Sequence, residues 1–412
     1  MPDYGSLALT MPDAGAAARD RRWIELLIGS ILVAMIFFQK IGVPAAGSHV
    51  ELILLLTYAV LGALLVRQAV MISATRLLLL AALLATMLLS QFLSRHQWDL
   101  TAVLIILALY CPFIFVLPVT RANWLRIFNI FQRAMLAVVG IVAVQQIIQF
   151  TIGAQYWPSL DEMIPAKLLV PGYNYLRETS YGSGTFMPNG IVFLEPSITS
   201  QFLAIALIIE AALFRRIIWL VAYAAGLLLT LAGSGLFVLA LAAPVAAFHL
   251  GKRILPFALA ALVVILPVAQ AVGWTDQVAS RVNEFGQPGT SGYIRYTQPI
   301  TEMMNRLEAR SEQLVTGAGA GSTINDPGHN SLGLTKLVNE YGLLVAIAFY
   351  AFLLACIFGS APSFAVAWGV FVYYMIGGGG LSVGIYALPL LFFAALMRVQ
   401  DEQPGKPETE SA

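Results

Sequence analysis

Long apolar stretches recur along almost the whole of this 412-residue chain, and they restrict its fold more than any other feature. They run from Trp23 to Met397 and are roughly 15 to 25 residues long, near the length that a helix needs to cross a hydrocarbon core of about 30 Å. Strands of a membrane β-barrel would alternate in polarity and be about ten residues long. Only 11% of the residues are charged, against about a quarter in a soluble domain. The pattern therefore predicts an all-α polytopic membrane protein.

The apolar stretches predict about 12 transmembrane helices. The predicted spans are 23–39, 49–66, 77–94, 100–118, 127–152, 191–213, 217–232, 235–250, 254–273, 337–358, 363–379 and 382–397. They form a single transmembrane domain over residues 23–397, between a polar segment, 1–22, and a polar tail, 398–412, that is expected to be disordered. The start lacks an apolar core followed by a cleavage site, so we expect no removable signal peptide.

Positive charges fall mainly in alternate connections between the predicted spans. These connections carry Arg19, Arg21, Arg22, Arg67, Arg76, Arg121, Arg126, Arg215, Arg216, Lys252, Arg253 and Arg398, whereas the opposite short turns carry only Lys40 and Arg95. Because cytoplasmic loops are enriched in Lys and Arg, both termini are expected in the cytoplasm. Two long segments, 153–189 and 274–336, fall on the opposite side, where loops of this length are usually functional.

The second long loop ends in a glycine-rich run with one histidine, GAGAGSTINDPGHNSLGLTKLVNEYG, which begins at Gly317. The imidazole of His329 can take a proton near neutral pH, which suits a general base. The alternative is a helix-capping or interfacial histidine, and its position does not decide between the two. The glycines could bring backbone N–H groups to an anion, but the run lacks the Lys-Ser/Thr of a phosphate-binding loop. A tight turn is therefore the favoured interpretation.

Arginines in both long loops are candidates for binding phosphate, because a guanidinium binds phosphate through two parallel hydrogen bonds and keeps its charge. Arg281 and Arg295 precede the glycine run, and Arg177 lies in the first loop. A helix is predicted from about Gly292, with Pro299 bending it. For the arginines later in this helix, ion pairs with neighbouring glutamates are the favoured interpretation.

Two glutamates fall in or beside predicted spans. Glu195, in GIVFLEPSITSQFL, is expected a few residues into a span, where a carboxylate is costly and usually faces the bundle interior. Pro196 is expected to break that helix. Glu340 lies near the start of the span that follows His329. Each glutamate either binds substrate or hydrogen-bonds a neighbouring helix.

Both cysteines, Cys111 and Cys356, lie in apolar stretches and are interpreted as small hydrophobic residues. They indicate neither a disulfide nor a metal site, and no cofactor motif is found. The net charge of +1 and the lack of a basic patch give no indication of a nucleic-acid partner.

Four stretches in a fixed order carry a family resemblance: GSGTFMPNGIVFLEPS, LTLAGSGLFVLAL, TSGYIRYTQP, and TGAGAGS followed by HNSLGLTKLVNEYGLLVAI. Together they resemble the O-antigen ligase and repeat-unit polymerase (Wzy-type) family of bacterial surface polysaccharide assembly. Tyr181 stands where many relatives carry an arginine, and Arg177 can substitute for it. Gly235 and Leu236 replace an arginine often found after the serine of the second stretch. Since ligases more often keep these arginines, the departures favour a polymerase.

The resemblance implies a metal-independent glycosyltransferase with a GT-C-like fold in the bacterial inner membrane. Its donor would be a glycan on polyprenyl (undecaprenyl) pyrophosphate, its acceptor another lipid-linked repeat unit, and its product O-antigen, capsule or exopolysaccharide. His329 would accept the acceptor's proton, and Arg295 would stabilise the leaving pyrophosphate. The expected substrate-binding residues are Arg177, Arg281, Glu195, Asn330 and Glu340. A chain-length regulator is the expected protein partner.

Two other functions remain open. One is a ligase that transfers glycan to the lipid A core. The other is a flippase or transporter of the lipid-linked glycan, which would carry polar residues near mid-bilayer on broken helices. The residues that approach this pattern are Glu195, Arg133, Gln145, Gln146 and Gln149.

Overall fold

The computed structural model describes residues 14–45, 48–94, 99–173, 177–179, 184–250, 270, 283, 286–290, 292–309, 313–322, 332–377 and 380–400. Within these ranges the chain is mostly helical, which confirms the helical class. Residues 254–273, predicted as the ninth span, lie outside the described residues apart from residue 270.

Nine helices precede the second long loop: α1 Ala14–Phe37, α2 Leu52–Val66, α3 Ala74–Leu93, α4 Leu100–Tyr110, α5 Arg121–Thr151, α6 Leu160–Met163, α7 Pro196–Ile209, α8 Ile217–Leu229 and α9 Gly233–Leu250, as far as the chain is described. The later described helices are α10 Gln298–Glu308, α11 Gln313–Thr316, α12 Gly333–Tyr341, α13 Leu343–Phe358, α14 Phe364–Ile376 and α15 Gly384–Leu390. π-helical turns extend α7 over Glu210–Phe214 and α15 over Leu391–Ala395.

Among the described helices, three are long and apolar enough to cross a membrane: α3, α5, and α7 with its π turn. Seven further apolar helices are shorter, and they include α2, α8, α9, α13 and α14. Helix lengths therefore agree with several membrane crossings, and the arrangement of twelve spans stays a prediction.

One predicted span is wrong in its continuity. Residues 337–358 belong to two helices, α12 and α13, which are separated at Gly342. Gly342 has φ +86°, and a Cβ there would collide with the carbonyl of Val315. The break follows from this contact with a segment distant in sequence, so the apolar pattern gave no sign of it.

Short strands in the connections correct the all-α prediction. They are β1 Gly42–Ala45, β2 Ser48–Glu51, β3 Met71–Ile72, β4 Phe115–Thr120, β5 Arg177–Glu178, β6 Phe186–Met187 and β7 Met397–Gln400. β1 pairs with β2 and β5 pairs with β6, both antiparallel, while β4 lies between β3 and β7. β4 pairs in parallel with β7, so residues 398–400 of the tail predicted to be disordered form a strand.

The three-stranded sheet β3–β4–β7 marks one end of the helical bundle, called here the sheet end. α2, α3, α4, α5 and the π turn after α15 all begin or end within a few residues of these strands. The opposite end, called the loop end, carries the β1–β2 and β5–β6 hairpins, the glycine turn 317–322 and the turn Gly380–Ser382. A helix of 15 residues such as α2 is about 22 Å long, which separates the two ends.

Aromatic contacts fill the bundle between these ends. The ring of Phe393 lies between Phe128 and Phe131 of α5, with centroids 5.5 and 4.7 Å away. Tyr110 of α4 meets Phe349 of α13 edge to face at 4.8 Å. Edge-to-face pairs of this kind add specific geometry to the burial of large apolar surfaces.

Candidate functional site

Two of the four family-like stretches meet at the loop end, where the starts of α7 and α9 lie against each other. The Ser234 hydroxyl of α9 donates to the Ser197 carbonyl of α7 at 2.9 Å, and the Gly235 N–H donates to the Ser200 hydroxyl at 3.0 Å. A Cβ at Gly235 would collide with the Ser200 carbonyl. The glycine of LAGSGL is therefore needed for this close approach.

Glu195 lies at this junction. Its position corrects two predictions: that it stands inside a span and that Pro196 breaks the helix. Glu195 is the N-cap residue of α7 and Pro196 is its first residue, so the glutamate precedes the helix and the proline begins it. The Glu195 carboxylate accepts a hydrogen bond from the Ser197 hydroxyl at 2.9 Å, and its carbonyl accepts from the Thr199 hydroxyl at 3.1 Å. The side chain is partly exposed and lies at the loop end.

The third stretch, with Arg295, lies beside the start of α9. Arg295 belongs to the π-helical turn Tyr293–Thr297, which leads into α10, and this confirms the helix predicted from about Gly292. The adjacent Tyr296 ring meets Phe237 of α9 edge to face at 6.0 Å. Pro299 sits in the first turn of α10, where the break in helix type occurs. The Arg295 side chain lies outside the described atoms.

The fourth stretch folds into a glycine turn that docks on α12 and α3. The N–H groups of Ala318 and Gly319 donate to the carbonyls of Asn339 and Glu340. The Ala320 N–H donates to the Gln91 side chain at 2.8 Å. These three N–H groups are thus bonded within the protein, which confirms the tight turn rather than an anion cradle.

Three positive backbone angles hold this turn in place: Gly317, Gly319 and Gly321 have φ +72°, +99° and +78°. A Cβ at Gly317 would collide with the Glu340 carbonyl. The hydroxyl of Ser90 lies 2.7 Å from the carbonyls of both Thr316 and Tyr341 and donates to one at a time. The turn therefore positions the C-terminal end of α12 against α3.

A stripe along α12 carries Gly333, Lys336 and Glu340 at three- and four-residue spacing. The Lys336 ammonium donates to the Ser382 hydroxyl at 3.0 Å and lies 4.0 Å from a Glu340 carboxylate oxygen. The side chains are 14% and 1% exposed, respectively. Glu340 is thus deeply buried at the end of the stripe, beside the glycine turn.

Tyrosine hydroxyls from three helices lie below the first turn of α12. A Cβ placed on Gly333 would lie 3.7 Å from the Tyr374 hydroxyl and 3.9 Å from the Tyr350 hydroxyl. Tyr374 hydrogen-bonds Tyr110 through the two hydroxyls, 2.7 Å apart. The Tyr350 hydroxyl is buried and has no hydrogen-bond partner among the described residues. The apolar stretches do not predict this cluster, because its tyrosines come from three different helices.

Arg177 lies in the β5–β6 hairpin of the first long loop, opposite Met187. The hairpin is anchored to α5, since the Phe186 N–H donates to the Gln149 side chain at 2.8 Å. Gln145 accepts from the Gly190 N–H at 2.9 Å, and Gln146 donates to the Leu229 carbonyl at 2.6 Å. These three glutamines therefore hold the loop and α8 to the end of α5.

A buried ion pair joins the start of the first long loop to the turn after α1. Lys40 is 2% exposed, and its ammonium lies 2.9 Å from a carboxylate oxygen of Asp161. Burial lowers the pKa of Lys40, and the Asp161 carboxylate opposes that effect. This cation is thus occupied by the loop itself.

Glu51, in β2 just before α2, joins that hairpin to the start of α15. Its carboxylate accepts from the Gly384 N–H at 2.9 Å. Burial raises its pKa to about 7, while the Gly384 and Ile385 N–H groups favour the charged form and limit the shift. Glu51 is therefore a structural link with a titration near neutral pH.

An apolar groove opens between α2 and α4. It is lined by Val50, Leu54, Leu55, Tyr58, Thr101, Leu104, Ile105 and Ala108. The Tyr58 hydroxyl, which donates to the Ala108 carbonyl at 2.7 Å, bridges the two helices. This lining has no charged side chain, so the groove is not a phosphate site.

The predicted residues divide by location. His329, Asn330 and Arg281 lie outside the described residues. Glu195, the Arg295 backbone and Glu340 lie at the loop end with Arg177, on four different elements. Among the described residues, no group of three or more His, Cys, Asp or Glu side chains could hold a metal ion. Sequence reasoning assigned no role in the site to Lys336, Ser382 or Tyr350.

Comparison of the chain with protein-family models, with curated proteins and with solved structures finds no match. The family resemblance therefore rests on the four stretches of sequence alone.

Proposed function

We propose that this chain is a membrane glycosyltransferase of twelve spans and GT-C-like architecture, which polymerises polyprenyl-pyrophosphate-linked repeat units into a surface polysaccharide. The reaction takes place at the periplasmic face of the bacterial inner membrane, with both termini in the cytoplasm. One observation carries the proposal: four stretches that are scattered over the sequence meet at the loop end. The starts of α7 and α9 share hydrogen bonds, the Arg295 turn packs on α9, and α10 contacts α12.

The reaction joins an acceptor hydroxyl oxygen to the anomeric carbon of the donor, and the bond from that carbon to the pyrophosphate oxygen breaks. The electron pair leaves on the pyrophosphate, and the acceptor proton passes to His329. Negative charge develops on the leaving group, so fixed cations at that position lower the barrier. Arg295, with Arg281 and Arg177, supplies this charge in the proposal, and Glu195, Asn330 and Glu340 orient the acceptor.

The transporter alternative loses the observations that favoured it. Gln145, Gln146 and Gln149 anchor the first loop and α8, and Arg133 is exposed on the outside of α5. Glu195 is the N-cap residue before the first turn of α7 and does not interrupt that helix. The ligase alternative shares the donor chemistry and differs only in the acceptor, so the product must separate the two.

The test is complementation of a bacterial strain that lacks the gene, with glycan chains separated on a gel and membrane levels of each variant measured. We expect His329→Ala and Arg295→Ala to reach the membrane and fail to restore long polymer, with a rate loss of about a hundredfold or more. His49→Ala is the matched control, because His49 lies at the same end in the β1–β2 hairpin, where its imidazole hydrogen-bonds the Lys167 carbonyl at 3.3 Å.

Single repeat units left on lipid or core would support a polymerase. Polymer that accumulates on the polyprenyl carrier without transfer to the core would support the ligase instead. Normal polymer with both substitutions would overturn the catalytic assignment and leave the transporter in its place.

A further inference from the structure

The loop end contains a cation that the proposed mechanism has not used. Lys336 is mostly buried, with 14% of its side chain exposed, and it stands on the stripe of α12 that begins four residues after His329. An ammonium has three donors, and one bond, to Ser382 at 3.0 Å, is present among the described residues. The Glu340 oxygen at 4.0 Å is beyond hydrogen-bonding distance.

A largely buried charge is costly unless it is paired and hydrogen-bonded. Lys40 at the same end shows the satisfied case, since its ammonium lies 2.9 and 3.1 Å from the two carboxylate oxygens of Asp161. Among the described residues, the Lys336 ammonium has one hydrogen-bond acceptor, and its nearest Glu340 carboxylate oxygen lies 4.0 Å away. Such an arrangement suits an anion that arrives from outside the protein.

Further neutral donors lie along the stripe of α12 that carries this ammonium. Ser382, from the turn Gly380–Ser382, accepts the Lys336 hydrogen bond. One turn before Lys336, a Cβ at Gly333 would lie 3.8 Å from the Leu381 N–H and 3.9 Å from the Tyr350 hydroxyl of α13, which is ordinary contact distance. The Tyr350 hydroxyl is buried and has no described partner, so it is available as a donor.

We propose that Lys336, Ser382 and Tyr350 form a subsite that binds the pyrophosphate of the polyprenyl-linked substrate, with the Lys336 ammonium adding to the positive charge of the proposed arginines. The inference rests on the proposed function and specifies where on α12 the leaving group is held. When the bond from the anomeric carbon to the phosphate oxygen breaks, the added negative charge falls beside Lys336, which stabilises it electrostatically. Because α12 begins just after His329, the base and this cation belong to one continuous segment.

The test measures binding of undecaprenyl pyrophosphate, which has no sugar, to the full-length protein in lipid nanodiscs. We expect Lys336→Gln to weaken binding about tenfold or more, since charge-assisted hydrogen bonds are lost. Lys336→Arg keeps the charge and is expected to bind within about threefold of wild type. Ser382→Ala and Tyr350→Phe each remove one hydroxyl and are expected to weaken binding by about threefold.

Lys167→Gln is the matched control, because Lys167 is exposed at the same end and outside the subsite. We expect it to change binding less than about twofold. Thermal unfolding of each variant is measured in parallel; if Lys336→Gln is misfolded, the two hydroxyl variants decide. A second probe, phosphatidylglycerol, distinguishes a pyrophosphate subsite from a general site for lipid phosphate.

If wild type binds undecaprenyl pyrophosphate and folded Lys336→Gln binds it equally well, the subsite is wrong while the proposed function stands. If phosphatidylglycerol binding falls in parallel, the assignment to pyrophosphate is overturned. If wild type does not bind undecaprenyl pyrophosphate at all, the proposed function itself fails.

In the polymerisation assay, a higher KM for the lipid-linked donor in Lys336→Gln supports the subsite, with the loss rescued by Lys336→Arg.

Discussion

Arg76 and Arg216 at the sheet end are more fully hydrogen-bonded within the described residues than Lys336 at the loop end. At the sheet end, Arg76 is 5% exposed, and its guanidinium donates to the carbonyls of Phe113, Phe115, Ala395 and Cys356 and to the hydroxyl of Ser360. Arg216 forms hydrogen bonds with both carboxylate oxygens of Glu210 and with Asn129, and it lies 3.6 Å from the centre of the Trp219 ring.

Lys336 at the loop end contrasts with both arginines. Its ammonium is also largely buried, yet it makes one described hydrogen bond, to a hydroxyl. The comparison teaches that the placement of charge along the sequence does not identify a binding site. What distinguishes Lys336 from these arginines, and from Lys40 at its own end, is how many acceptors the described residues supply to the cation.

The largest effect on stability is expected from Arg76→Ala. Removal of the guanidinium leaves carbonyls from α13, β4, the 3-10 turn after α4 and the π turn after α15 without their common donor. We expect the free energy of unfolding to fall by about 3 to 5 kcal/mol, as for a broken buried polar network. Thermal unfolding of the purified protein in detergent measures it.

Arg126→Ala at the same end is the control. Arg126 pairs with Glu25 at 2.9 Å, but its side chain is 64% exposed, so a loss below about 1 kcal/mol is expected. If Arg76→Ala and Arg126→Ala lowered the free energy of unfolding equally, the hydrogen bonds of Arg76 to buried carbonyls would not be what stabilises the fold.

A smaller loss is expected from Gly317→Ala in the glycine turn at the loop end. Alanine is strained at φ +72°, and its Cβ would collide with the Glu340 carbonyl, so the turn must move away from α12. We expect a loss of about 2 kcal/mol, together with reduced polymer formation because Lys336 and Glu340 lie on α12. Both thermal unfolding and the glycan gel report this.

The matched control is Gly62→Ala in α2, where a Cβ would meet nothing within 4 Å. Alanine is favoured over glycine in a helix, so unchanged or slightly raised stability is expected. If Gly317→Ala is as harmless as this control, the close packing of the turn on α12 is not needed.

The smallest effect is a pH dependence that Glu51 introduces at the loop end. Because its pKa is raised from 4.5 to about 7, the folded protein binds more protons than the unfolded chain between these two values. The stabilising contribution of the protonated form is therefore complete below about pH 4.5 and is lost as the pH rises through about 7. We expect the free energy of unfolding to fall as the pH rises through this window.

Thermal unfolding between pH 5 and pH 8 tests this, with Glu51→Gln as the informative variant. Glutamine keeps an oxygen that can accept from the Gly384 N–H but has no proton to lose. Its unfolding temperature should vary less with pH than that of wild type. Glu162→Gln, at an exposed position of the first long loop, should keep the wild-type pH dependence.

Much of the helical framework was predictable because apolar length is a local property. α8, for example, begins at the predicted Ile217, and α3 and α5 each lie within a few residues of their predicted spans. The tight glycine turn was also predictable, since glycine is the residue that readily adopts positive φ. The position of Glu195 was mispredicted, because the apolar residues that precede Pro196 resemble the start of a span but belong to the preceding turn.

The candidate site was predictable only in part. Glu340 and Lys336 share a helix stripe, so their proximity follows from their spacing. Ser382 and Tyr350 reach the same place from other helices, and single polar residues in apolar stretches carry no sign of where they will meet.

The sequence by itself determined that the chain is mostly helical. It also showed that the candidate site residues lie in the loops and near the ends of the predicted helices. Tertiary structure decided which of these groups come together and which cations are already satisfied. The physical reason is that a helix satisfies its own backbone hydrogen bonds, so its existence follows from local residues. The partners of a buried side chain come from elements far away in the chain. Arg76 and Lys336 have similar surroundings in sequence, and only the acceptors that packing brings to them separate a structural cation from one available to a ligand.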